Sequence, residues 1–220
     1  MLIGRFLESM YKRRFESLFA ALILFIFVPN FFSYTFRTEF VDPVVRSFLL
    51  ISTYALVWKE ARLRRRLVLT TILILLIATW LVNQRPVPVL QYMYLSLLIL
   101  FFCHIALEVI LQIYSQKEVD FQTIMSVLCG YLLLGVLGFF AFSIIHIHNA
   151  EAFNIERKAF DDLIYYTFIT LTTIGYGDIA PHTLPAKSAA VILGIAGQFY
   201  TTVIIALIIG KFLQGKSHNT

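Results

Sequence analysis

Of 220 residues, 59% are apolar and 14% charged, the formal net charge is +5 and the mean hydropathy is +0.80. These values lie outside the range of soluble globular domains and exclude a separate soluble domain of any size, because a bilayer core roughly 30 Å thick takes about 20 apolar residues per helix. The positive charge sits in clusters between apolar runs, which is the pattern of membrane orientation rather than of nucleic-acid binding.

Apolar runs fall near 15–34, 43–58, 67–83, 90–114, 122–147 and 188–213, with a shorter one near 160–171. The expected fold is all-α, six transmembrane helices plus a re-entrant half-span. The basic start and the run Leu18 to Phe27 have the form of a signal peptide, but Val28-Pro29-Asn30-Phe31-Phe32 offers no small-residue cleavage site, so a retained first span is expected. Asp42-Pro43 reads as the cap and first turn of the second span, and Trp58 and Trp80 as interfacial belt residues. Arg5, Lys12, Arg13 and Arg14 precede the first span, and Lys59, Arg62, Arg64, Arg65 and Arg66 separate the second from the third. The alternate loops carry only Arg37, Arg46 and Arg85 before residue 90. The positive-inside rule then places both termini in the cytoplasm and the half-span on the outer side. The run from Arg62 to Arg66 reads as a topology anchor rather than a specific anionic-lipid site.

The fourth run, Leu90 to Tyr114, lacks any Lys or Arg, so it carries no positive gating charge. It does hold His104 and Glu108, one turn apart. Ionisable residues within a membrane are functional candidates by default, and two readings stand: a packing contact, or a proton-sensitive contact that biases the rest of the molecule. Cys103 and Cys129 sit in apolar stretches and read as small hydrophobes. The loop from His146 to Lys158, with His146, His148, Glu151 and Glu156, reads as a solvated turret rather than a metal site. The expected division is a four-helix domain over 1–114, a linker over 115–122, a pore-type unit over 123–213 and a short tail over 214–220, with no cytoplasmic ligand-binding domain.

The chemistry concentrates in Thr170-Leu171-Thr172-Thr173-Ile174-Gly175-Tyr176-Gly177-Asp178. Carrying an alkali cation through a low-dielectric slab requires replacing its hydration shell, since a bare charge there is prohibitively expensive. Backbone carbonyls can do this if alternate residues take backbone angles closed to most side chains, and Gly175 and Gly177 permit those angles. Thr173 adds a hydroxyl. Non-helical backbone at membrane depth survives only when surrounded by protein or lining a water-filled cavity. Asp161 or Asp162 is placed to cap a short helix toward Thr170 whose negative dipole end faces that cavity. Tyr165 and Tyr166 are placed to brace the loop or to pack as ordinary interfacial aromatics.

At these residues the sequence resembles the pore of tetrameric potassium channels, whose filters read TVGYG; Ile174 stands where valine is usual. The resemblance implies that the carbonyls of Thr173, Ile174, Gly175 and Tyr176, with the Thr173 hydroxyl, line K+ sites ending at Gly177, supported by Thr172, Tyr165, Tyr166 and the outer acid Asp178. It extends over roughly residues 120–213 through Gly197-Gln198-Phe199-Tyr200 and Ile204-Ile205-Ala206, which look like the inner helix of bacterial channels. Gly197 falls at the family's hinge position, with close helix packing at Gly194 and Gly197 as the other reading. Gln198 and Thr201, at i and i+3, are expected to line a cavity, with a gate around Ile205.

One loop cannot surround an ion, so three further copies are implied, in a homotetramer. With the pore unit last, the whole resembles the six-helix, voltage-gated-like superfamily without its arginine-rich helix. The resemblance implies a passive, K+-selective, multi-pass protein of a prokaryotic plasma membrane, needing only lipid, K+ and copies of itself, with no catalysis, no cofactor and no nucleic acid. A non-conducting regulatory subunit and a potassium transporter are the rival readings.

Overall fold

The computed structural model describes residues 8–32, 36–60, 62–84, 87–115, 120–155 and 160–217. The readings placed on Arg5, Arg85, Glu156, Lys158 and the side chains of Arg62, Trp80 and Ile205 lie outside the described residues.

All the regular elements described are helical: α1 (Arg14–Phe27), α2 (Asp42–Leu56), α3 (Arg62–Gln84), α4 (Pro88–Ser115), α5 (Phe121–His148), α6 (Phe160–Leu171) and α7 (Leu184–Ser217). Among the described residues, three stretches are long and apolar enough to cross a membrane, Val89–Ser115, Phe121–His148 and Leu184–Ile204. The other three long runs form α1, α2 and α3. Helix α1 has 14 residues and α2 has 15, which at 1.5 Å per residue is about 20 Å. Helix α3 has 23 residues, its basic start Arg62–Arg66 followed by the uncharged, mostly apolar run 67–84.

Asp42 is not a helix cap. A π-turn, Arg37–Val41, runs directly into α2, and Asp42 itself has helical angles, φ −59° and ψ −44°. Pro43 explains the widened turn, because it has no N–H to donate four residues back and its ring crowds the carbonyl there. The Asp42 carboxylate instead lies 3.6 Å from both Arg37 and Arg46.

Helix α5 is the central post. It begins with a reciprocal capping box, in which Asp120 Oδ1 accepts from the Thr123 N–H at 2.8 Å and Thr123 Oγ1 accepts from the Asp120 N–H. One of its flanks joins the core of α1 to α4: Phe15, Leu18, Leu22, Leu49, Leu56, Phe101, Phe102 and Ile105 pack with Cys129, Leu133, Val136 and Phe140. The other meets α6 and α7 in a second core around Phe142, Phe153, Leu163, Tyr166, Ile169, Leu171 and Leu193. Polar cross-links fasten the first region at one end. Cys129 donates to the Phe15 carbonyl at 3.3 Å, Gln122 Nε2 donates to Glu16 at 2.8 Å, and Gln112 takes Arg14 Nε at 2.8 Å while donating to the Leu56 carbonyl.

Candidate functional site

Helix α6 carries Asp161 and Asp162 in its first turn, inside the helix rather than at its cap, where their charge complements the helix dipole. At the other end the chain leaves the helix through two tight bonds, Thr172 N–H to the Phe168 carbonyl at 2.9 Å and Thr173 N–H to the Thr170 carbonyl at 3.1 Å. The Thr172 hydroxyl also donates to the Phe168 carbonyl, at 2.6 Å. The next segment turns back along the helix, fixed by the Gly175 N–H on the Ile169 carbonyl at 3.1 Å.

Positive φ recurs at every second residue: Thr173 at 62°, Gly175 at 54° and Gly177 at 81°. A β-carbon added at Gly175 or Gly177 would meet nothing within 4 Å. The backbone angle, and not crowding, is therefore what excludes a side chain there. Thr173 holds the same left-handed conformation with a β-branched side chain, an uncommon and costly choice that points to a functional constraint. It was not legible in the motif, where only the glycines signal such angles. The whole run Thr172 to Asp178 is exposed in the single subunit, Tyr176 by 72% and Ile174 by 54%.

The far end of this loop is tied down by two side chains, Tyr165 and Asn154. The Tyr165 hydroxyl donates to Asp178 Oδ2 at 2.7 Å, and this bond, with that from the Ile179 N–H, holds the Asp178 carboxyl below its ordinary range. Asn154 reaches across from the turret: its Nδ2 donates to the Asp178 carbonyl at 2.8 Å and its Oδ1 accepts from the Ala180 N–H at 2.5 Å. The two tyrosines thus divide. Tyr165 braces the loop, whereas Tyr166 is 4% exposed and packs with Phe142 and Phe153. The turret itself is anchored by buried Phe153, which pairs with Pro181, and by the His182 N–H on the Ala152 carbonyl at 2.8 Å. His146 is buried on α5 near Phe153, and the described residues contain no group of three His, Cys, Asp or Glu able to hold a metal.

At the inner end, the last carbonyl of α6, that of Leu171, accepts from the Tyr131 hydroxyl at 3.2 Å. Gly197 of α7 lies against this carbonyl, which a β-carbon would approach to 2.7 Å, while Gly194 has open space. Close packing accounts for Gly197, and α7 runs on through it as one helix. Gln198 is exposed and Thr201 half-buried, the latter donating to the Gly197 and Gln198 carbonyls. Ile205 lies farther along α7. Three glycines of α5 receive side chains of the loop-bearing unit: Gly130 takes the Tyr200 ring, Gly135 Phe168, and Gly138 Leu193 and Thr167. The Tyr200 hydroxyl then reaches the Val127 carbonyl at 2.7 Å. Glycines at a cost of about 1 kcal/mol each inside a helix were a sequence signal for close approach; Tyr131 and Asn154 gave none.

His104 and Glu108 are not hydrogen-bonded to each other. Glu108, 3% exposed, faces Arg64 Nη1 at 3.4 Å, which also reaches Glu60 at 3.3 Å, and the His104 Nε2 is buried without a partner.

Residues 126–214 match the ion channel family. The matched stretch runs from within α5 into α7, so the exposed loop and most of its supports lie inside the region that is similar to that family. Curated proteins similar to part of this chain are named as potassium channels. The two pore potassium channel a of Oryza sativa subsp. japonica is 28% identical over 100 residues, 46% of this chain and 26% of that protein. Potassium voltage-gated channel subfamily A member 2 of Mus musculus is 26% identical over 102 residues, 46% of this chain and 20% of that protein. Two-pore potassium channel 5 of Arabidopsis thaliana is 32% identical over 84 residues, 38% of this chain and 19% of that protein. The chain thus spans about a quarter or less of the length of these relatives. No solved structure matches it.

Proposed function

We propose that this chain is the pore-forming subunit of a potassium-selective channel that passes K+ down its electrochemical gradient, with Thr173, Ile174, Gly175, Tyr176 and Gly177 as its filter. The observation that carries the reading is the alternation of left-handed backbone at Thr173, Gly175 and Gly177 in a loop that one subunit leaves exposed. Alternating backbone hand aims successive carbonyls to one side, which is what stripping and replacing an ion's hydration shell demands. Four copies close the ring. In its support, α7 leaves Val191, Ile192, Ile195, Phe199 and Val203 exposed, an apolar face that neighbouring copies and lipid would cover. Gln198 and Thr201 would then line the cavity below the filter, and the gate would lie near Ile205.

The proposed arrangement has six spans, α1 to α5 and α7, with both termini in the cytoplasm of a prokaryotic cell. Helix α4 has no cation to move in the membrane field, and steep voltage dependence takes several elementary charges per subunit at about 2.3 kcal/mol per 100 mV each. Gating by voltage in the usual manner is therefore not proposed. The pairing of Glu108 with Arg64 favours a packing role for His104 and Glu108 over proton sensing; pH-dependent flux lost on Glu108→Gln would reverse that preference. Purified protein in liposomes, assayed for K+ against Na+ uptake, tests the main reading. Selective K+ uptake is expected, and membranes equally tight to every alkali cation would overturn it.

A further inference from the structure

The front helices and the loop-bearing unit share a core on α5, yet toward the turret they stand apart. A cavity of about 740 Å³ opens between them, with Phe25, Leu49, Phe102, Phe140 and Ile164 among its walls. At its rim, among the described residues, one charged contact bridges the gap: Arg37 Nη1 donates to Asp161 Oδ2 at 2.6 Å. Arg37 is held from its own side by Asp42 at 3.6 Å, and its side chain is 22% exposed. The Asp161 hydrogen bond is the main reason its pKa is raised. A short bond between ionised partners is stronger and more directional than a neutral one.

Asp161 stands one turn before Tyr165 on α6, at i and i+4, so both project from the same side of the helix. Tyr165 in turn holds Asp178, and Asn154 holds the Asp178 carbonyl. Two directional contacts, Arg37 to Asp161 and Tyr165 to Asp178, are therefore joined through one turn of α6 and lead from the π-turn at the head of α2 to the outer end of the filter. We propose that Arg37 is a positioning residue for the filter: through Asp161 it lets the front helices set the placement of α6 and so the stability of the conducting loop. This rests on the channel reading. The device needs no charge on α4, and it assigns the front helices a route to the pore that bypasses a voltage-driven helix.

The test combines two readouts on the full-length protein in lipid. In single-channel recordings, Arg37→Gln and Asp161→Asn each shorten the mean conducting dwell about five-fold, the scale of a modest coupling energy. The double variant is no worse than either single one, Arg37→Lys keeps most of the wild-type dwell, and the K+ to Na+ permeability ratio is unchanged throughout. Additive losses, or dwells unchanged in both single variants, overturn the proposal. Independently of conduction, 3-fluorotyrosine incorporated at position 165 reports its bond to Asp178 by 19F NMR. Arg37→Gln and Asp161→Asn should shift that line alike and Arg37→Lys should leave it near its wild-type position. A line that ignores Arg37 overturns the coupling even if the protein never conducts, whereas absent K+ conduction with a responsive line overturns only the channel reading.

Discussion

The front helices and the loop-bearing unit of α5 to α7 are built on opposite principles. Between α1 and α4 side chains do the work: Phe15, Leu18, Leu22, Leu56, Phe101 and Phe102 fill the core, and the polar groups among them, Arg14 with Gln112 and Arg64 with Glu108, pair side chain to side chain. Around α6 the backbone does the work. The Leu171, Asp178 and Phe168 carbonyls each take a side-chain donor, and glycines on α5 and α7 let neighbours approach where a methyl group would collide. A side-chain core tolerates exchange of one hydrophobe for another, whereas a backbone-built site is sensitive to a single β-carbon.

The largest effect expected from this contrast is at Gly177. Gly177→Ala forces a left-handed angle on an L-residue, about 1–2 kcal/mol per position and repeated in every subunit, and liposome assays should lose selective K+ uptake. D-alanine introduced at the same place by semisynthesis should retain it, since its handedness suits the angle. Loss with both isomers would mean that space and not backbone hand governs the site.

Next is the front core. Leu22→Ala, at a fully buried position, should lower the stability of the folded protein by about 2–5 kcal/mol, read from thermal unfolding in detergent. The K+ to Na+ ratio of the surviving protein should not move, and a change in selectivity would dissolve the distinction between the two regions. Gly135→Ala crosses it: the added methyl meets the Phe168 ring at 2.5 Å, an overpacking cost of about 1–3 kcal/mol. The parallel Gly194→Ala meets open space and, by removing a glycine from the helix interior, should raise stability by about 0.5–1 kcal/mol in the same melting experiment.

The smallest effect is that of acid on the outer loop. The Asp178 carboxyl is held below its ordinary value of 3.8, chiefly by Tyr165. A depressed folded-state pKa gives a contribution fully present above the unfolded value and lost only as pH falls through the lower, folded one. Taking the external solution from about pH 8 to about pH 5 should therefore leave conduction unchanged on account of this group, with losses confined to pH values under 3.8. Titration of conduction by Asp178 near neutral pH would contradict the Tyr165 bond.

The left-handed backbone at the two loop glycines was readable from residues because its requirement is local. Gly175 and Gly177 announce backbone angles, Asp161 and Asp162 a helix start, and the apolar runs the helices that follow one another. The same locality misled at Asp42-Pro43, where the dipeptide looks like a helix beginning but a π-turn carries the helix through it. Gly197 was readable as a hinge or as a point of close packing, and the Leu171 carbonyl lying against it was visible only in the structure.

What the sequence determined by itself was an all-helical chain of apolar segments with one glycine-bearing loop, since lipid demands internally bonded backbone and glycine alone freely permits those angles. Tertiary structure alone decided that Tyr131 and Asn154 hold the ends of that loop, that Thr173 shares its left-handed backbone, that Glu108 answers Arg64 and that Arg37 reaches Asp161. These contacts join residues up to 124 positions apart, and a pairing over such a distance is set by how helices pack, on which no local pattern of residues bears.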